Sequence, residues 1–163
     1  MEICYVPSPV GRLTLAAEAG SLIGLWLEGQ RYYGDCLTPD AAEAPEALPF
    51  PQARQWLTAY FAGKAPDIGA LPLAPRGTDF QRRVWQALLD IPYGRTVTYG
   101  DLARQLGSSA RAVGGAVGKN PISILIPCHR VVGSGGSLTG YSGGLDNKRF
   151  LLALENDAQR SMP

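Results

Sequence analysis

The chain has 163 residues, of which 45% are hydrophobic and 18% are charged, and its formal net charge is +1. This length suits one ordinary domain or two small ones. The first residues lack the basic and then apolar pattern of a secretory signal, and no apolar run approaches the roughly 20 residues that span a bilayer. These features argue against a secreted or membrane-spanning protein and predict a folded, cytoplasmic one.

The three cysteines, Cys4, Cys36 and Cys128, form an odd set without a short repeated spacing. Such a set does not indicate a disulfide framework, and Cys4 and Cys36 are interpreted as small hydrophobic side chains. The only histidine is His129. Because one histidine and three scattered cysteines offer no ligand cluster, we expect no metal site.

Charge is distributed unevenly along the chain. Residues 1–75 carry four basic and eight acidic side chains, whereas residues 76–163 carry eleven and six. Three prolines interrupt residues 64–77, which show no helical period and are interpreted as a linker. We therefore predict two domains, 1–75 and 76–163, of which only the second suits a polyanion such as DNA.

The first half is predicted to combine a hairpin with one helix. Residues 12–16 and 22–27 are apolar runs on either side of the turn-forming residues 19–21, and the polar, proline-bearing residues 34–51 are expected to form a loop. Apolar residues then recur at helical spacing, and Gly63 can end the helix that they predict. These apolar residues are Ala53, Trp56, Leu57, Tyr60 and Phe61.

Two capping boxes mark helix starts in the second half. Thr78 is followed three residues later by Gln81, and Thr98 is followed in the same way by Asp101. In this motif each side chain bonds to the backbone of the other residue, so a helix begins directly after the threonine. The first helix is expected to run towards Pro92.

A helix-turn-helix is predicted next. The helix after Thr98 is expected to end at Gly107, and either Ser108 or Ser109 can cap a further helix that runs towards Gly118. Two short helices joined across one glycine are typical of this motif.

The third of these helices is unusually rich in small residues. Gly114 and Gly115 each destabilise a helix by about 1 kcal/mol relative to alanine, so another requirement must favour them. One explanation is close packing against a neighbouring helix. The other is approach to a DNA minor groove about 6 Å wide, with Arg111 as the single long basic side chain.

A cysteine lies beside the only histidine, after the apolar run 122–126. A thiol becomes a good nucleophile when a base removes its proton, and histidine is well suited to that task. On an extended chain Cys128 and His129 would point to opposite faces, so we expect a water molecule to bridge them. On their own these residues favour a structural cysteine, and a papain-like or phosphatase-like thiol enzyme is the functional alternative.

The surrounding motifs resemble the O6-alkylguanine-DNA alkyltransferases. Asn120-Pro121 precedes Ile-Leu-Ile-Pro-Cys-His-Arg-Val-Val at 124–132, which is similar to the active-site motif of that family. The match extends from Arg76 to Glu155. It includes Thr-Tyr-Gly at 98–100, Ala-Arg-Ala-Val-Gly-Gly at 110–115 and Gly-Tyr-Ser-Gly-Gly-Leu at 140–145, in the order found in the family.

The resemblance implies a fold and a reaction. The fold class is α+β, with a small amino-terminal α/β domain of the RNase H-like kind before a helical domain of the winged helix-turn-helix type that binds DNA. The implied reaction is DNA repair by irreversible, single-turnover transfer of an alkyl group from O6-alkylguanine in duplex DNA to Cys128. O4-alkylthymine is a second candidate substrate. The family implies no cofactor and no required protein partner, so we expect a monomer.

The resemblance also assigns roles to individual residues. Cys128 would accept the alkyl group, His129 would act as the base through water, and Glu155 would orient His129. Asn120 would organise the turn beside the cysteine, and Tyr99 would donate a proton or a hydrogen bond to the departing guanine. On their own, Glu155 suits a solvated helix end, Asn120 a turn and Tyr99 a half-buried core.

Further residues would bind the substrate. Ser142 would contact the lesion oxygen, and Tyr141 with Gly140 and Gly143 would form the pocket wall. Because a thiol cannot reach O6 inside a duplex, the nucleotide must be extruded, and Arg111 would fill the vacated stack. The DNA-facing surface would also include Ala110, Gly114, Gly115 and Thr98.

Two sequence differences from particular relatives narrow the choice among members of the family. Some relatives hold zinc in the amino-terminal domain with cysteine and histidine ligands, and this chain has no histidine before His129. Alkyltransferase-like proteins bind lesions without an acceptor cysteine, so Cys128 favours a transferase over a binding module. A transcription regulator with additional domains would need a longer chain.

Overall fold

The computed structural model describes residues 1–161, with side chains up to residue 158. Its strands are Glu2–Val6 (β1), Leu13–Glu18 (β2), Ser21–Leu27 (β3), Ala42–Glu43 (β4), Val97–Thr98 (β5) and Val131–Val132 (β6). Its helices are Phe50–Phe61 (α1), Asp79–Leu89 (α2), Tyr99–Leu106 (α3), Ala110–Gly118 (α4) and Leu145–Ser161 (α5). None of these helices is long and apolar enough to cross a membrane.

The chain divides into two compact units. The first comprises Met1–Arg76 together with Pro121–Leu125, and the second comprises Gly77–Asn120 together with the chain from Ile126 onward. Residues 121–125 thus pack with the first unit although they lie in the second half of the sequence. The backbone explains this, since Ser123 N donates to Leu25 O at 3.0 Å and Leu25 N donates to Pro121 O at 2.9 Å.

The first unit is built on a four-stranded sheet of order β3-β2-β1-β4, in which only the β1 and β4 pair is parallel. The predicted hairpin is confirmed as β2 and β3. Ala19 and Gly20 both have positive φ, 53° and 81°, as the two-residue turn of a tight hairpin requires. The prediction of a loop over residues 34–51 is wrong at Ala42–Glu43, because the backbone there pairs with β1, a strand that was not predicted.

Helix α1 begins three residues before the predicted Ala53. Pro51 lies in its first turn, where its fixed φ suits a helix and its missing N–H removes no helical bond. The helix buries Phe50, Ala53, Leu57 and Tyr60. Gly63, with φ 85°, follows the helix end as predicted. Residues 64–77 contain a short 3₁₀ turn at Ile68–Ala70, so the linker is not wholly irregular.

Both predicted capping boxes are present in the second unit. The Thr78 hydroxyl accepts from Gln81 N at 3.1 Å, and the Gln81 side chain accepts from Thr78 N at 2.9 Å. Thr98 and Asp101 make the equivalent bonds at 3.0 and 2.9 Å. Helices α2 and α3 therefore begin where the sequence predicts.

The helix-turn-helix is also confirmed. Gly107 adopts the left-handed conformation that ends α3, and of the two candidate caps it is Ser109 that accepts from Ala112 N, at 3.1 Å. Helix α4 buries its Val113, Ala116 and Val117 face. Trp85 of α2 donates from Nε1 to the Ala116 carbonyl at 2.8 Å, which fixes the position of α4 in the unit.

Candidate active site

The segment that leads to Cys128 is buried but is not a regular strand. Ile124 has φ 72°, and Leu125 N donates to Ser123 O at 2.8 Å, which closes a three-residue γ-turn. A β-branched residue rarely adopts this backbone conformation, which disfavours it by roughly 1 to 3 kcal/mol. The prediction of an extended segment over 122–126 is therefore wrong at Ile124.

A second tight turn positions Cys128. Pro127 has φ −81° and ψ 64°, Cys128 N donates to Ile126 O at 2.8 Å, and Cys128–Arg130 forms a 3₁₀ turn. The expectation that Cys128 and His129 lie on an extended chain is therefore wrong. Asn120 donates from Nδ2 to Ile126 O at 2.8 Å, so this side chain holds the turn just before the cysteine.

Three charged or titratable side chains meet behind the cysteine. Nε2 of His129 lies 2.6 Å from Oε2 of Glu155, and both residues are buried. Arg130 donates to both oxygens of Glu155, from Nε at 2.8 Å and from Nη2 at 3.2 Å. Gly94 N adds a bond to Glu155 Oε1 at 3.0 Å. The carboxylate is thus fixed by donors on both of its oxygens.

These contacts set the ionisation of the cluster. Burial acts to raise the pKa of Glu155, but the hydrogen bonds and charges of His129 and Arg130 outweigh it and lower the pKa to about 2. Burial lowers the pKa of His129, the Glu155 carboxylate opposes this, and Arg130 and Lys148 reinforce it. Since the ionised carboxylate can only accept, a neutral imidazole at this position carries its proton on Nε2 and its lone pair on Nδ1.

Cys128 is only 3% exposed. Burial raises its pKa to about 11, although a hydrogen bond from Asn120 and the charge of Lys148 act in the opposite direction. The resting thiol is therefore protonated at neutral pH. A base must take the proton when the sulfur reacts, because preformed thiolate would be scarce.

Lys148 was not predicted as a site residue. Its side chain is fully buried, and Nζ donates to Val131 O at 2.6 Å and to Thr139 O at 2.9 Å. The signal in the sequence is its position, three and seven residues before Leu151 and Glu155, which places a lysine on the buried face of α5. Because lysines are rarely fully buried, a lysine at this position is a candidate site residue.

Replacing Lys148 with methionine should raise the pH at which Cys128 reacts half-maximally with iodoacetamide, because a buried positive charge that favours the thiolate is removed. The matched control is Arg149→Met, which removes a surface charge from the next residue, paired with Asp146 at 2.9 Å. Both variants also carry Cys4→Ser and Cys36→Ser, so the measured alkylation by iodoacetamide reports on Cys128. Equal pH profiles in the two variants would show that Lys148 supports the fold alone.

Tyr99, at the start of α3, contacts the loop that was predicted to wall the pocket. Its hydroxyl donates to Gly140 O at 3.2 Å, and Gly140 adopts a positive φ of 48°. Burial raises the pKa of Tyr99, and a charge on Cys128 would raise it further. Tyr141, Ser142 and Gly143 follow in the same loop and are partly buried.

Four of the five residues that are predicted to face DNA lie together on α4. Ala110, Arg111 and Gly115 are exposed. A Cβ atom at Gly115 would meet nothing within 4 Å, and one at Gly114 would make only an ordinary contact with Tyr99, at 3.7 Å. A Cβ atom would thus fit at both positions, and close helix packing does not explain these glycines. The Thr98 side chain caps α3.

No group of three or more His, Cys, Asp or Glu side chains that could hold a metal ion occurs within the described part of the chain.

Two family models cover most of the chain. Residues 3–75 match the model described as 6-O-methylguanine DNA methyltransferase, ribonuclease-like domain. Residues 79–157 match the model described as 6-O-methylguanine DNA methyltransferase, DNA binding domain. The α+β fold class and the resemblance drawn from the motifs are both confirmed.

Individual relatives agree with the family models. The methylated-DNA–protein-cysteine methyltransferase of Haemophilus influenzae is 45% identical over 153 residues, which cover 93% of this chain and 84% of the relative. That of Mycolicibacterium paratuberculosis is 50% identical over 157 residues, which cover 95% and 92%. The crystal structure of Mycobacterium tuberculosis OGT in complex with DNA is similar with a TM-score of 0.88, at 46% identity and covering 97% of this chain and 94% of that one. The chain therefore belongs to the 6-O-methylguanine DNA methyltransferase family.

Proposed function

We propose that this protein repairs DNA by transferring an alkyl group from O6 of guanine to Cys128. The observation that carries the proposal is a buried thiol held in a tight turn next to a His129–Glu155 pair. The relatives are methylated-DNA–protein-cysteine methyltransferases, and a relative has been solved with DNA. A lesion-binding module that does no chemistry would have no use for this arrangement.

The proton of the thiol leaves as the new bond forms. Burial keeps Cys128 protonated at neutral pH, and the neutral imidazole of His129 is the base that takes the proton, through a bridging water. Glu155 holds the imidazole in place and stabilises the cation that results. The acceptor thiol thus differs from the thiol of a surface cysteine, which can ionise in water without a base beside it.

Bond formation and bond breaking then balance at the alkyl carbon. The sulfur attacks the carbon in line, the bond from carbon to O6 breaks, and its electron pair moves to the guanine ring. The ring gains one proton, either from Tyr99 or from water while Tyr99 donates a hydrogen bond, so that guanine leaves as a neutral base. His129 then releases the thiol proton, which replaces the one that the ring has taken. A thioether remains on Cys128. Since neither water nor thiols displace a thioether, each protein molecule reacts once.

Reaction in a duplex requires nucleotide flipping, because O6 of guanine lies inside the stack. Arg111 is exposed on α4 and fills the vacated position. The residues around it have small side chains or none, which allows the helix to approach the narrow minor groove. These residues are Ala110, Gly114 and Gly115. Thr98 lies at the entry to α3, the first helix of the motif.

The flipped base is held by the loop after residue 139. Ser142 contacts the lesion oxygen, and Tyr141 with Gly140 and Gly143 forms the wall of the pocket. The bond from Tyr99 to Gly140 O ties this loop to α3, which supports a single pocket built from both parts.

The remaining assignments follow from the reaction. Residues 76–163 carry DNA binding and catalysis, and residues 1–75 form the amino-terminal domain. The transfer needs no cofactor and no protein partner, so we assign a monomer. Its substrate is cellular DNA, and we place the protein in the cytoplasm.

Mass spectrometry of the intact protein tests the proposal. After incubation with excess duplex that contains O6-methylguanine, we expect one added methyl group, located on the peptide that contains Cys128, and no further consumption of substrate. An unmethylated duplex of the same sequence is the control. Repeated turnover by one protein molecule, or a methyl group on Cys4 or Cys36, would contradict the proposal.

A further inference from the structure

Arg130 lies at the centre of the buried cluster, yet no step described above uses it. Besides its two bonds to Glu155, its Nη1 donates to Ile91 O at 2.7 Å. Its guanidinium carbon lies 5.7 Å from the centre of the Tyr93 ring. The side chain is only 10% exposed. Four contacts in one geometry fix this cation beside Glu155.

The position of Arg130 determines which cation neutralises Glu155. With Arg130 paired to the carboxylate, the buried pair is already neutral, and a proton on His129 would add an uncompensated positive charge. Without Arg130, the same proton would neutralise Glu155. Burying a charge without a partner is strongly unfavourable, so the two situations favour opposite ionisation states of His129.

We propose that Arg130 is a positioning residue of the transfer reaction: it neutralises Glu155 and thereby keeps His129 as the neutral imidazole that can accept the proton of Cys128. This inference rests on the proposed function and names a residue that sets its proton acceptor. Lys148 of α5 acts on His129 in the same direction. Among the residues whose side chains are described, Tyr93, which is coupled to Glu155 and Arg130, and Tyr99, which is coupled to Cys128, are further titratable groups near the cluster.

The first test uses the unchanged protein. Because His129 is the only histidine, the imidazole nitrogen signals of untagged, ¹⁵N-labelled protein belong to one residue. At pH 7 we expect the chemical shifts of a neutral ring protonated on Nε2. The signals of an imidazolium at pH 7 would overturn the inference without any variant.

The second test removes the cation. In Arg130→Met, His129 should become protonated at a higher pH than in the unchanged protein. Alkylation of Cys128 by O6-benzylguanine should then reach half its maximal rate at a higher pH. Below that midpoint, the rate should fall about tenfold for every whole pH step by which the midpoint has risen. At high pH the two rates should converge, which a damaged fold would not produce.

Matched variants complete the design. Arg130→Lys retains the charge and should keep the midpoint near that of the unchanged protein. Arg149→Met removes a guanidinium from the surface of α5 and should leave the profile unchanged. A midpoint in Arg130→Met that stays in place or moves to lower pH overturns the inference. If that variant does not fold, the imidazole signals of the unchanged protein and of Arg130→Lys decide.

The two proposals can fail separately. The imidazole signals report the charge of His129 whether or not a methyl group is ever transferred. A protein that gains no methyl on Cys128 but shows the expected neutral ring contradicts the proposed function alone. A protein that is methylated on Cys128 while His129 is an imidazolium contradicts the role of Arg130 and the base role of His129, but leaves the proposed alkyl transfer to Cys128 intact.

Discussion

Replacing Glu155 with glutamine is expected to slow alkylation of Cys128 by about 10² to 10⁴-fold, the usual contribution of an oriented acid–base group. The amide cannot hold His129 and Arg130 as the carboxylate does, because it offers one oxygen and no charge. Without a placed base the thiol must ionise by itself, and burial raises the pKa of Cys128 to about 11. The pH of half-maximal rate with O6-benzylguanine should therefore rise.

The same change should lower stability. Removing the charge leaves Arg130 buried without its carboxylate, which destabilises a protein by roughly 3 to 5 kcal/mol. In the folded protein the pKa of Glu155 is lowered from 4.5 to about 2. Its contribution is therefore complete above about pH 4.5 and is lost as the pH falls towards 2, which amounts to roughly 3 kcal/mol. Urea unfolding across this range should show that loss in the unchanged protein and not in Glu155→Gln.

Two observations serve as controls for Glu155→Gln. Asp146→Asn removes a fully exposed carboxylate from the same helix and should change neither the rate nor the acid dependence. Affinity for unmodified duplex should stay close to that of the unchanged protein, since Glu155 is buried. If the pH profile with O6-benzylguanine is unchanged, another group activates Cys128, and Tyr99 is the next candidate.

Removal of the Arg111 side chain should separate flipping from chemistry. Arg111→Ala is expected to slow repair of O6-methylguanine in duplex DNA about 100-fold, because unstacking a base without a replacement is unfavourable by a few kcal/mol. Reaction with free O6-benzylguanine should change little, since the free base needs no extrusion. The measurement is the pair of second-order rate constants. Arg149→Ala is the control for loss of a surface charge, and equal losses on both substrates would assign Arg111 to the fold or the pocket.

Features encoded by neighbouring residues could be predicted from the sequence. The Thr98 and Asp101 pair forms its bonds within four residues, so the start of α3 is a local property. The same holds for Gly107 at the end of α3 and for the hairpin turn at Ala19 and Gly20. The contact between His129 and Glu155, by contrast, was expected only from the family resemblance, because an isolated glutamate favours a solvated position.

The features that were not predicted depend on residues far apart in sequence. The turn at Ile124 is disfavoured locally and is held by bonds from Ser123 to Leu25 O and to the side chain of Gln30. The burial of Lys148 depends on carbonyls at Val131 and Thr139, whose positions follow from the tertiary fold. Such contacts override local propensity.

If α4 enters the minor groove as proposed, its open glycine face favours activity at the expense of thermostability. Alanine at Gly115 would fit without a clash and would stabilise the helix by roughly 0.5 to 1 kcal/mol. Each added methyl group would also hold the helix farther from the floor of a minor groove. Selection of variants for heat resistance alone would favour alanine there, and the resulting proteins would be more robust and poorer at repair.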